Sequence, residues 1–128
     1  MMYDCEYEIL DNGIHYFRVR RDTRAAADVI ITVFELLYQE TPPDQLIRYI
    51  IDLRESRKFP FGYALGELRT MAARYPVRAF TRGATLQPPS PLSALADSML
   101  QVLIRHTNDR TKYFPYTDYP MAIEWVLR

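Results

Sequence analysis

Cysteine is nearly missing from this 128-residue chain: Cys5 is the single one, so no internal disulfide can form. Glycine is almost as sparse. The four glycines, Gly13, Gly62, Gly66 and Gly83, are spaced so that no phosphate loop or dinucleotide fingerprint exists. No Gly-x-Ser-x-Gly nucleophile elbow is present either. The two histidines, His15 and His106, have neither an i+4 partner nor a nearby cysteine, and a metal site needs several convergent ligands. Lysine occurs only at Lys58 and Lys112, and every other basic residue is arginine, which suits planar, bidentate and stacked contacts. Long hydrophobic runs are missing too: the longest, around Val29 to Tyr38, is too short and too interrupted to span a bilayer. Net charge is zero, with sixteen basic and sixteen acidic residues, which argues against a dedicated nucleic-acid binder. Asp4, Glu6 and Glu8 break up any signal-peptide pattern at the N-terminus, so a cytoplasmic location is the simplest expectation.

What remains is the composition of one soluble domain spanning residues 1–128, with 48% hydrophobic residues. Tyr3 to Leu10 alternates, with Tyr3, Cys5, Tyr7 and Ile9 on one side and Asp4, Glu6 and Glu8 on the other. Asp11-Asn12-Gly13 is a hairpin turn signal, and Ile14 to Arg20 is the returning strand. Asp22 or Thr23 can cap a helix whose apolar residues Ala26, Val29, Ile30, Val33, Leu36 and Leu37 recur at helical spacing. Thr41-Pro42-Pro43-Asp44 ends it.

Leu46 to Leu53 reads as a buried strand, followed by a charged loop and a helix from about Phe61 to Tyr75. Arg78 to Leu86 has moderate strand propensity, with a bend expected at Gly83. Ser90-Pro91 opens a third helix carrying Leu92, Leu95, Met99, Val102 and Leu103. Thr111 to Phe114 is a short strand, and Asp118 caps a last helix. The order β-β-α-β-α-β-α-β-α predicts an α/β domain with a mostly parallel mixed sheet, an opening hairpin and four helices.

Chemistry-bearing residues are few. Asp52 and Glu55 lie three apart at a strand end, but Arg54, Arg57 and Lys58 surround them, so ion pairing accounts for them more simply than acid-base catalysis. Cys5 sits among Tyr3, Tyr7 and Ile9 and reads as a buried, inert thiol. Arg18, Arg20, Arg21 and Arg24 cluster where the hairpin meets the first helix. With Arg54 and Arg57, they could form an anion-binding rim at one sheet edge, with Arg18, Arg20 and Arg54 as its nominal members. Phe59, Phe61 and Tyr63 place aromatics at alternate positions beside Arg57, the composition of an interface anchor.

The element order, the strand Tyr49-Ile50-Ile51-Asp52-Leu53, and the closing Tyr113-Phe114-Pro115 with Ala122-Ile123-Glu124-Trp125-Val126 resemble the STAS domains. Those domains occur in sulfate transporters and anti-sigma-factor antagonists. The resemblance implies a non-enzymatic regulatory module without a cofactor, working by protein contact, for which the aromatic loop offers Arg57, Phe59, Phe61 and Tyr63. Signalling members of that family carry an Asp-Ser-x-Gly-like segment whose hydroxyl is phosphorylated. Aligned on Gly62, the segment here is Phe59-Pro60-Phe61-Gly62, so those positions hold no phosphate acceptor. Ser56 is a hydroxyl upstream in the same loop. Some relatives hold lipid-like molecules, which implies the alternative of a carrier or sensor of a small apolar or anionic ligand. A homodimer through exposed aromatics is compatible with either reading.

Overall fold

The computed structural model describes residues 3–88, 97–98, 101–102, 104–105 and 107–128. Strands β1 (Cys5–Ile9) and β2 (His15–Val19) form the expected antiparallel hairpin. Its turn depends on Gly13, at φ +85°, and on Asn12, whose Oδ1 accepts from Ile14 N at 3.1 Å. Helix α1 (Arg24–Glu40) follows, then β3 (Leu46–Asp52), α2 (Phe61–Ala72), β4 (Phe80–Gln87) and β5 (Arg110–Pro115). A 3-10 turn at Tyr116–Asp118 leads into α3 (Tyr119–Leu127). The helix expected from Ser90 through Leu103 lies mostly outside the described residues, so three helices are described where four were expected.

The five strands lie in sequential order, β1 to β5. After the antiparallel hairpin, β2, β3, β4 and β5 are mutually parallel. Each β-α-β crossover advances one strand in the same direction, and right-handedness then puts α1 and α2 on one face. That face buries Phe17, Val19, Ile47 and Leu53 against Ala26, Ile30, Phe34 and Tyr38 of α1 and Met71 of α2. The opposite face buries Ile14, Ile50, Ala84, Leu86 and Phe114 against Ala122 and Val126 of α3. Burial of each such large side chain contributes roughly 1.5–3 kcal/mol.

Local chemistry explains the boundaries. Thr23, not Asp22, caps α1: its Oγ1 accepts from Ala26 N at 3.1 Å. The buried stripe of α1 is Ala26, Ala27, Ile30, Phe34 and Tyr38, rotated from the expected one: of that set Val29, Val33 and Leu37 are only half-buried and Leu36 is exposed. Strand β4 runs through Gly83 without the expected bend. Gly83 pairs with Tyr49, and a Cβ at position 83 would overlap the Tyr49 ring, so the glycine is there to make room for it. At the β5 edge, Asp97 Oδ1 accepts from Tyr113 N at 3.1 Å and Gln101 Nε2 donates to Thr111 O at 2.6 Å. Those side chains satisfy backbone groups that an edge strand leaves open. Among the described residues, no helix is long and apolar enough to cross a membrane.

Candidate functional site

The carboxyl ends of β2, β3, β4 and β5 share one end of the sheet, where open α/β sheets usually bind ligands and partners. The 53–60 loop emerges there from β3. Its shape is set by Asp22, which lies just before α1. Asp22 Oδ2 accepts from Arg57 N at 3.0 Å and Lys58 N at 2.8 Å, and Asp22 Oδ1 accepts from the Ser56 hydroxyl. Partial burial pushes the Asp22 pKa up, but these bonds outweigh it and hold the carboxyl below its usual value. Ser56 is only 7% exposed, so the loop hydroxyl is a buried strut and not an open acceptor.

The four aromatic-loop candidates divide by role. Phe59 is half-buried and packs on the α1/α2 core. Phe61 meets it edge-to-face at 5.1 Å and remains 38% exposed. Arg57 is exposed. Tyr63 joins the helices: its hydroxyl donates to Asp28 Oδ1 at 2.6 Å, and the Arg24 guanidinium lies 4.8 Å from its ring centroid. The outward surface is therefore Arg57 and Phe61, with Phe59 as buttress and Tyr63 as brace.

Arg18, Arg20 and Arg54 do gather at this end, and each meets a carboxylate. Arg18 reaches Glu55 at 3.1 Å. Arg20 bridges Glu55 at 2.9 Å and Glu6 at 3.2 Å. Arg54 Nε donates to Asp52 Oδ2 at 2.8 Å. Bonds from Arg20 and Arg18 hold Glu55 below the usual carboxylate range. The three cations are thus matched by Glu6, Glu55 and Asp52, which leaves the rim close to neutral. Arg21 lies 3.9 Å from Asp4, a further ion pair in the same cluster.

Asp52 is the most enclosed of these groups, at 0% exposure. Burial opposes its ionisation, but hydrogen bonds from Arg54 and from the Tyr16 hydroxyl prevail and keep its pKa low. Burial, together with the bond to Asp52, drives the Tyr16 pKa upward. This Tyr16-Asp52-Arg54 unit has no sequence signature. Tyr16 and Asp52 are 36 positions apart and meet only because β2 and β3 pair. Tyr16 and Arg54 both donate to the Asp52 carboxylate, which pairs the unit internally.

Cys5 is buried, and burial, aided by Glu6, pushes its thiol up to about 12. His15 is half-buried, lies 2.7 Å from the Tyr7 hydroxyl through Nδ1, and has its pKa lowered by burial. His106 lies outside the described residues. Among the described residues, no group of three His, Cys, Asp or Glu side chains is placed to hold a metal ion.

No family model, no curated protein and no solved structure matches this chain.

Proposed function

We propose that this chain is a non-catalytic STAS-like interaction module that docks a protein partner on the outward face of the 53–60 loop and the start of α2. The observation that carries this reading is the Asp22 clamp on Ser56, Arg57 and Lys58. It holds the loop in one shape before any partner arrives, so little ordering entropy opposes binding. Phe61 then offers an exposed ring for a partner pocket and Arg57 a cation at its rim. The order of strands and helices supports the STAS-like assignment, while Phe59, Pro60 and Phe61 leave the family's phosphorylated position without a hydroxyl. Regulation would then act through partner level, ligand or oligomerisation.

The test is a pull-down with wild-type protein and Phe61→Asp side by side, with the fold of each checked by circular dichroism. The expected result is loss of the wild-type partner from folded Phe61→Asp. A partner retained by the folded variant would refute this surface.

A second reading, a carrier of a small apolar ligand, rests on a groove of about 410 Å³ lined by Tyr7, Ile9, Val33, Leu36 and Leu37, with His15 at its wall. The interior between the sheet and α1 is closed to such a ligand. Phe17, Phe34, Tyr38 and Tyr49 fill it with ring contacts of 5.0–6.2 Å. Native mass spectrometry of gently purified protein checks this reading. A discrete added mass that Leu36→Glu removes would support the carrier, and a bare-chain mass would dismiss it.

A further inference from the structure

At the opposite end of the sheet, three arginines stand side by side. Arg48 of β3 pairs in register with Arg82 of β4, and Arg82 pairs with Arg110 of β5. All three lie on the α3 face, because Ile50 and Ala84, two residues further along β3 and β4, pack against α3. Adjacent strands are about 4.8 Å apart, so the three arginine Cα positions fall within roughly 10 Å, and Arg48 and Arg110 act electrostatically on Arg82. Like charges directly opposite one another in a sheet are destabilising, so such a row needs a reason.

Helix capping is part of the reason. Arg48 Nη1 donates to Val126 O, and to Arg128 O at 3.1 Å. Arg82 Nε donates to Trp125 O at 2.8 Å, and its guanidinium lies 3.9 Å from the Trp125 ring centroid. These bonds occupy the last carbonyls of α3. Yet a helix C-terminus carries only about half a unit of negative charge, against three full positive charges. Arg110 does not reach the helix: its Nη1 donates to Thr107 O and Asp109 O, both at 2.8 Å.

The nearby carboxylates do not close the gap. Glu124 pairs with Arg128 at 3.8 Å. Asp109 turns its carboxylate to Thr81 N at 2.9 Å and to Arg78 at 3.5 Å. Among the described residues, no Asp or Glu side chain pairs with Arg48, Arg82 or Arg110. Arg110 is exposed, and Arg48 and Arg82 are half-buried. Lys112, two residues after Arg110 on β5, adds a further exposed cation.

We propose that Arg48, Arg82 and Arg110 form a binding site for a phosphate-bearing ligand, with Lys112 at its margin. Guanidinium forks match phosphate oxygens in pairs, and a row of three fits a diphosphate better than a single phosphate. The bonds to α3 and the Trp125 stack hold two of the three forks in place beforehand. This site is separate from the partner-docking face at the other end of the strands, so Phe61→Asp leaves it intact. The ligand phosphate can belong to a soluble molecule or to a lipid headgroup.

Two probes distinguish these sources: inorganic pyrophosphate by titration calorimetry at low ionic strength, and flotation with phosphatidic-acid vesicles against pure phosphatidylcholine vesicles. Arg110→Gln is the main variant, because Arg110 makes no bond to α3 and its loss should leave the fold unchanged. Arg82→Gln is the second. Each is expected to weaken binding about tenfold or more, since a charge-assisted hydrogen bond is lost. Saturable pyrophosphate binding that both variants weaken supports the site with a soluble ligand. Flotation with phosphatidic acid alone, lost in both variants, supports it with a lipid source. No binding of either probe overturns the proposal, as does binding that survives in folded Arg110→Gln.

Discussion

Tyr49 shows how one side chain governs another across a strand pair. Its ring lies on the α1/α2 face, 5.0 Å from the Phe34 ring in an edge contact, and it covers Gly83 of the neighbouring strand. Burial raises the Tyr49 hydroxyl pKa to about 12. Gly83→Ala forces a methyl group into that ring, and overpacking of this kind costs about 1–3 kcal/mol. Chemical denaturation should show that loss. Adding Tyr49→Ala should make the double variant less destabilised than the sum of the two singles, because the clash disappears with the ring. Additive losses would show that Gly83 serves something other than Tyr49. In sequence, Gly83 signals only a weak point in a strand. Its partner is 34 positions away and is chosen by register.

The 53–60 loop is the element on which the proposed docking depends, and Asp22 controls it from another element. Asp22→Ala removes acceptors for two backbone N–H groups and one hydroxyl at once. The expected result is faster amide hydrogen exchange at Arg57 and Lys58, with exchange in β3 unchanged. Partner affinity should fall as the loop becomes mobile, although no docking residue has changed. Unaltered exchange at those two amides would show that the loop holds its shape without the clamp. The neighbouring Thr23 caps α1 and also donates to Asp4 Oδ2 at 2.7 Å, so the β2–α1 connection is fixed from both sides.

Across the whole molecule, acid should be the destabilising direction. Asp22, Asp52 and Glu55 all have depressed pKa values when folded. The native state then binds fewer protons than the unfolded chain in acid. Stability from these groups is complete above the ordinary carboxylate pKa of about 4, and is lost as pH falls through the lower folded values. His15 is also depressed, so it adds a shallower loss that begins below about pH 6.5. Thermal unfolding across pH should show a gentle decline below 6.5 and a steep one below 4. Asp52→Asn should cost about 1–3 kcal/mol at neutral pH and flatten the acid limb. An acid limb of unchanged steepness in that variant would remove Asp52 from the account.

Much of the fold was legible in the chain because its signals are local. Alternation marked β1, Asn12-Gly13 marked the turn, helical spacing marked α1, and Pro42-Pro43 marked its end. These depend on backbone sterics and on a period of two or of 3.6 residues, both read within one segment. The aromatic loop beside Arg57 was visible for the same reason, and so was the charge balance around Asp52 and Glu55. Only the tertiary structure separated exposed Phe61 from bracing Tyr63, since the Tyr63 role depends on Asp28 and Arg24 of another helix. It also revealed the Asp22 clamp, the Tyr16-Asp52-Arg54 unit and the row of Arg48, Arg82 and Arg110. The Asp22 clamp joins two loops about 35 positions apart, while strand register brings Tyr16 to Asp52 and aligns the arginine row. A change of one residue in register would send those side chains to the other face of the sheet.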